Sequence, residues 1–225
     1  MAMVNDVQAR IVADAHARNR GTSVAYLDES YLAPAVDVGG PATYFYLMTA
    51  YVVPCSDLDD MRDDIRELVG GTYWHTAEQG RSDEGRLKIR DFAEYVGEGT
   101  EAIIVSLQVP ILGSDPDGES ARGACFVTLL EALASGAHCD RIELAIFEER
   151  RHQRQRSADE RTLKEGRGAG RIPRTMRVLS ASPATDHLLW LPDLASYALY
   201  QRQLSRQLQL SDPFIDRVRT LEVAP

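Results

Sequence analysis

The chain has 225 residues, 44% of them hydrophobic and 26% charged, a composition that suits a globular fold long enough to bury a core. No apolar run can span a bilayer and MAMVNDVQAR lacks a signal-peptide core, which excludes a membrane partner and sets the expected location as cytoplasmic. Cys55, Cys125 and Cys139 show no CxxC spacing, which excludes a zinc site or a disulfide framework and fits a reducing compartment. The net charge of −9 argues against a nucleic-acid partner, but ten of the 25 basic residues fall between Arg150 and Arg177 with only three acids among them. That clustering gives the chain a local positive field which the overall charge conceals.

Residues 1–20 carry Val7, Ile11, Val12 and Ala15 at helical spacing and predict a helix packed on the outside, ending near Gly21. A strand follows over 22–28. Tyr31 to Pro41, with two prolines and Gly39-Gly40, reads as a loop. The aromatic and β-branched run from Thr43 to Val53 is the strongest strand and is stopped by Pro54. Joined by that loop, the two strands predict an antiparallel pair with Asp28 at one end.

Ser56 to Val69 predicts an amphipathic helix, with Leu58, Met61, Ile65 and Leu68 on one stripe and Gly70-Gly71 as its stop. Thr72 to His75 is a short strand or turn. A second helix is expected over Ser82 to Val96, a strand over Glu101 to Val109, a helix over Glu119 to Ser135 and a half-buried strand over Arg141 to Phe147. The basic segment 150–177 reads as an insertion in a single domain covering 1–225. Its almost wholly polar helix, Ser157 to Glu165, has no apolar face and is expected to be ordered by a partner. Thr175 to Ser180 gives a last strand, and a final helix from near Pro192 runs past Leu208. Strands alternating with helices predict an α/β fold, a mixed and mainly parallel sheet with helices on both faces.

Acids fall at the ends of two separate strands and at the start of the late helix. Asp28 and Glu29 close the first strand, and alternation points them to opposite faces, with Asp28 on the side of Val24 and Tyr26. Glu148 and Glu149 end a later strand, where salt bridges to the following arginines are the simpler role. Asp193, with Asp186 before it, sits where a helix N-terminus favours an acid, so capping alone would explain either. Taken together, scattered carboxylates of this kind suit Mg²⁺ or Mn²⁺, hard ions that take oxygen ligands. His75 stands beside Tyr73-Trp74 as a proton carrier, a metal neighbour or a structurally hydrogen-bonded ring. Arg154, Arg156, Arg161, Arg167, Arg171 and Arg174 form either a phosphate-gripping surface or a solvated insertion.

Tyr26-Leu-Asp-Glu-Ser30, the Trp74-His75 segment and Leu189-Trp-Leu-Pro-Asp-Leu-Ala-Ser-Tyr-Ala198 resemble the family called domain of unknown function 3800. The resemblance implies a ribonuclease H-like sheet flanked by helices, with Asp28, Glu148 and Asp193 as metal ligands and Glu29 beside Asp28; Asp186 and His75 join them as candidates in support by their positions in the chain. Tyr31 stands where that family usually has glycine, Pro192 where it has alanine, and Glu148 where aspartate is common. The expected activity is metal-dependent phosphodiester hydrolysis of DNA or RNA. The alternative is a catalytically silent module of that fold that binds nucleic acid or a protein.

Overall fold

The computed structural model describes residues 2–35, 43–206 and 208–225. In chain order the elements are α1 (Ala2–Arg18), β1 (Ser23–Leu32), β2 (Phe45–Pro54), α2 (Leu58–Val69), α3 (Thr76–Gln79), α4 (Asp83–Glu98) and β3 (Ile103–Gln108). They continue with α5 (Glu119–Ser135), β4 (Leu144–Glu148), α6 (Gln153–Gly168), β5 (Arg177–Ala181), α7 (Trp190–Gln203) and β6 (Val218–Val223). The six strands form one mixed sheet in the order β5-β4-β1-β2-β3-β6. β2 is antiparallel to both β1 and β3, whereas β4 joins β1, β5 joins β4 and β6 joins β3 in parallel.

Side-chain alternation divides the core into two layers. Val24 and Tyr26 of β1, with Leu47, Tyr51 and Val53 of β2, pack against α1, α2, α4 and α7. Ala25 and Leu27, with Met48 and Ala50, face α5 on the other side. Large side chains such as Trp190, Phe92 and Phe126 are almost fully closed to water. Each such burial contributes about 1.5–3 kcal/mol toward the cost of ordering the chain.

Most boundaries fall within two residues of those the sequence predicts, and the differences have local causes. β1 does not stop at Asp28, because the ladder with β2 continues to Leu32↔Phe45. The predicted loop therefore gives up Tyr31 and Leu32 to β1, and its residues 36–41 lie outside those described. Asp57, not Ser56, precedes the first turn of α2, while Gly70 ends that helix in the left-handed region at φ 68° as expected. Ser82 caps α4 by accepting from the Gly85 amide at 3.0 Å. α4 runs through Gly97 to Glu98, since a lone glycine weakens a helix without ending it.

α7 stops at Gln203 instead of passing Leu208, and the C-terminal segment returns as β6 on the edge of β3. β6 was not visible in the sequence because its burial alternates weakly on an exposed edge. α6 is also longer than predicted, and its order comes from within the chain. Asp159, buried in its otherwise polar surface, accepts from Arg122 of α5 at 2.8 and 3.2 Å. Gly166 lets the helix approach Ile172 and Val127 closely, where a Cβ would meet Ile172 Cδ1 at 2.8 Å.

Candidate active site

The parallel ladder between β1 and β4 ends at Leu27↔Phe147, one residue before Asp28. Beyond that point β1 continues with β2 alone, and β4 continues with β5 through Glu148↔Ala181. The two strands thus part where their carboxylates begin, and such partings beyond strand ends form the crevices of open α/β sheets. α7 crosses this opening. Ser196 donates to the carbonyl of Asp28 at 3.2 Å, and Asp193 lies one turn earlier on the same helix face.

Asp193 is held from two sides. Its Oδ2 accepts from the Thr76 amide at 2.8 Å and the Thr76 hydroxyl at 2.9 Å, while Oδ1 lies 3.4 Å from Nδ1 of His75. Thr76 Oγ1 in turn accepts from Nε1 of the buried Trp74 at 2.8 Å. Asp193 therefore sits in the first turn of its own helix and also satisfies the first amide of α3, an end that has no other cap. His75 precedes α3 in extended conformation, φ −151° and ψ 111°, which turns its half-exposed ring toward Asp193.

The electrostatics identify the cluster. Burial pushes the Asp28 carboxyl well above its usual range, and Asp193, Glu29 and Glu148 push it the same way. Glu148 is raised to about 7, first by burial and then by Asp193 and Glu29, with His75 and Arg151 opposing. The hydrogen bond to Asp193 raises His75 above its ordinary value, against the effect of burial. The hydroxyl of Thr49, directly opposite Asp28 in the β1–β2 ladder, is buried without a hydrogen-bond partner among the described residues. A crevice of about 410 Å³ opens over Glu148 and Asp193, lined also by Trp74, His75, Arg151 and Arg156.

Glu148 titrates upward from its unfolded value of about 4.5, which fixes the sign of a pH effect. Between about pH 4.5 and 7 the folded chain holds a proton that the unfolded chain has released, so this contribution falls as pH rises. In chelator-treated buffer, Glu148→Gln is expected to remove that fall and to gain roughly 2–3 kcal/mol at pH 8. Urea unfolding of both proteins at pH 5 and pH 8 checks it. An unchanged difference between the two pH values would rule out a strained Glu148.

The remaining residues singled out in the sequence lie elsewhere. Glu29 points to the opposite face, where it ion-pairs with Arg122 of α5. Asp186 is buried and committed to a second network. Its oxygens accept from Arg62 at 3.0 and 3.1 Å and from the Tyr26 hydroxyl at 3.2 Å, with His16 3.8 Å away. Arg156 lies beside the crevice, 3.8 Å from Glu149, with its Nη1 donating to the carbonyls of Arg150 and Arg151. Arg171 binds Glu131 and Thr128 on α5. Arg167 donates to the Met176 carbonyl at 3.1 Å. Arg154, Arg161 and Arg174 are exposed and have no ion-pair partner among the described residues.

Sequence reasoning missed Arg122, Ser196, Thr76 and Thr49. A lone arginine in the otherwise small and apolar stretch Ala121 to Phe126 was a signal for the first. The other three are ordinary hydroxyl residues, and only their neighbours make them part of the site. Among the described residues, no group of three His, Cys, Asp or Glu side chains stands close enough together to hold a metal ion. Compared with protein-family models and with curated proteins, the chain matches none.

Proposed function

We propose that this chain is a metal-dependent phosphodiesterase of DNA or RNA with a ribonuclease H-like fold, a divergent relative of the domain of unknown function 3800 family. The observation that carries the reading is the placement of Asp28 of β1, Glu148 of β4 and Asp193 of α7 about the parting of β1 and β4, where burial first and then neighbouring negative charge lift Asp28 and Glu148 above the usual carboxylate range. Such clusters relieve their repulsion by taking up protons or a cation, and oxygen donors of this kind suit Mg²⁺ or Mn²⁺. The donor atoms suit such an ion, but no three of these side chains among the described residues stand close enough together to hold one, so binding requires them to draw together. Asp28 and Glu148 have no ion-pair partner among the described residues, while Asp193 is already bonded to Thr76 and would have to share an oxygen.

Bound there, the metal would supply an activated water and charge stabilisation at the leaving oxygen. His75, held by Asp193 and open to the crevice, would give a proton to the departing group. Arg151 and Arg156 at the crevice wall would hold substrate phosphates, and the exposed Arg154 and Arg161 would extend that contact along a strand.

The engagement of Asp193 by Thr76 favours a second reading, in which the module binds nucleic acid without cutting it. Incubation with single- and double-stranded DNA and RNA, with Mn²⁺ or with chelator, separates the two. Cleavage that requires the metal is the expected result. Salt-sensitive binding with no turnover in any metal would leave the silent module as the function.

A further inference from the structure

We infer that a second site, at the outer edge of the sheet, binds a small organic phosphate. β5 is an edge strand, and its first half together with the end of α6 borders a pocket of about 820 Å³. That size lies in the range of small-molecule sites. Lys164, Arg167, Arg174 and Arg177 line it against a single acid, Glu160. None of the four cations has an ion-pair partner among the described residues, whereas Arg62, Arg122, Arg150 and Arg171 elsewhere in the chain are all paired with carboxylates.

Two of these guanidiniums are also under-bonded. Arg167 Nε and Arg177 Nη1 are closed to solvent without any hydrogen-bond acceptor among the described residues. A buried donor left unmade costs about 1–3 kcal/mol, and charged groups cost more. An arrangement that holds unmatched cations around a cavity is stabilised by an anion that enters it. Four positive charges against one negative suit a doubly charged phosphate better than a single carboxylate, and guanidinium forks match phosphate oxygens in pairs. The rest of the lining, with Leu163, Met176 and Leu179, is apolar, which calls for an organic body on the phosphate.

The pocket is separate from the carboxylate crevice. It borders β5 at Arg177 to Leu179, whereas Glu148 pairs with Ala181 further along that strand, and the two linings share no residue. The inference therefore does not depend on hydrolysis at the crevice.

Isothermal titration in metal-free buffer with phenyl phosphate, adenosine 5′-monophosphate and glucose 6-phosphate tests it, with inorganic phosphate and a single-stranded oligonucleotide lacking terminal phosphates as comparisons. At least one monoester is expected to bind saturably and more tightly than inorganic phosphate. Arg174→Gln, at an exposed position with no side-chain hydrogen bond or ion pair among the described residues, should weaken that binding roughly ten- to hundred-fold, and Arg177→Gln should do the same. Absence of saturable binding by all three monoesters would overturn the proposal, as would wild-type affinity retained in both variants. Oligonucleotide binding alone, lost in those variants, would also overturn it and make these cations part of an extended nucleic-acid surface.

Discussion

Asp28→Asn is expected to abolish metal-dependent cleavage while making the metal-free protein more stable. The loss should reach about 10²–10³-fold or more, the scale for removing one group that stabilises charge in a transition state. Stability should move the other way. The Asp28 carboxyl is raised by burial and by three neighbouring acids, so it is fully compatible with the fold only when protonated. Above its unfolded value near 3.8, ionisation of the unfolded chain increasingly favours unfolding, and this contribution falls as pH rises. An amide in its place carries no such dependence. Asp193→Asn should share the loss of cleavage without the gain in stability, because its carboxylate serves Thr76 and His75. Cleavage rates and urea midpoints at pH 8 for both variants decide the matter. Cleavage that survives both substitutions would remove the carboxylate cluster from the mechanism.

The largest effect on folding is expected at Arg122, on the opposite side of the sheet. Only 2% of its side chain is exposed, and it holds Asp159 of α6 through two hydrogen bonds, Glu29 of β1 through an ion pair and the Tyr46 hydroxyl at 3.0 Å. Removing one partner of a buried pair leaves the other charge uncompensated, at a cost of about 3–5 kcal/mol. Arg122→Met keeps much of the side-chain volume and isolates that cost. Arg150 still reaches Asp159 at 3.5 Å and limits the damage. The double variant Arg122→Met with Asp159→Asn should recover part of the loss, because the stranded carboxylate is gone. Chemical denaturation of the wild type, both single variants and the double variant measures it. A single-variant cost below about 1 kcal/mol would show that α6 does not depend on this pair.

Elements with strong periodicity were legible in the sequence. α5 matches its predicted span, and β2, α2 and α4 differ by one or two residues at their ends, because apolar spacing and glycine or proline stops decide them locally. The antiparallel pairing of the first two strands, a mixed sheet and helices on both faces followed from the order of elements. β6 and the true end of α7 were not legible, since an edge strand with one weakly buried face carries little pattern. The order of α6 was misjudged because its hold on the fold is ionic, through Asp159, and a hydrophobic pattern does not register such a contact.

The acids divide the same way. By itself the sequence determined that Asp28 and Glu29 face apart, because a strand alternates with a period of two residues, and the structure has Glu29 on Arg122 and Asp28 beneath α7. It also marked Glu148, Asp186 and Asp193 as acids at element ends, with Asp186 in support, although capping or salt bridging would explain each of them alone. Only the tertiary structure separated them. β4 lies beside β1 and stops its ladder one residue short of Asp28, so Glu148 enters the crevice that opens there. The turn before α7 delivers Asp186 to Arg62, where its charge is neutralised, and α7 carries Asp193 across the opening. Charge patterning along a chain shows which residues are costly to bury. Which of them find a counter-charge and which are left facing one another depends on contacts between residues far apart in sequence, and that decided where the candidate site lies.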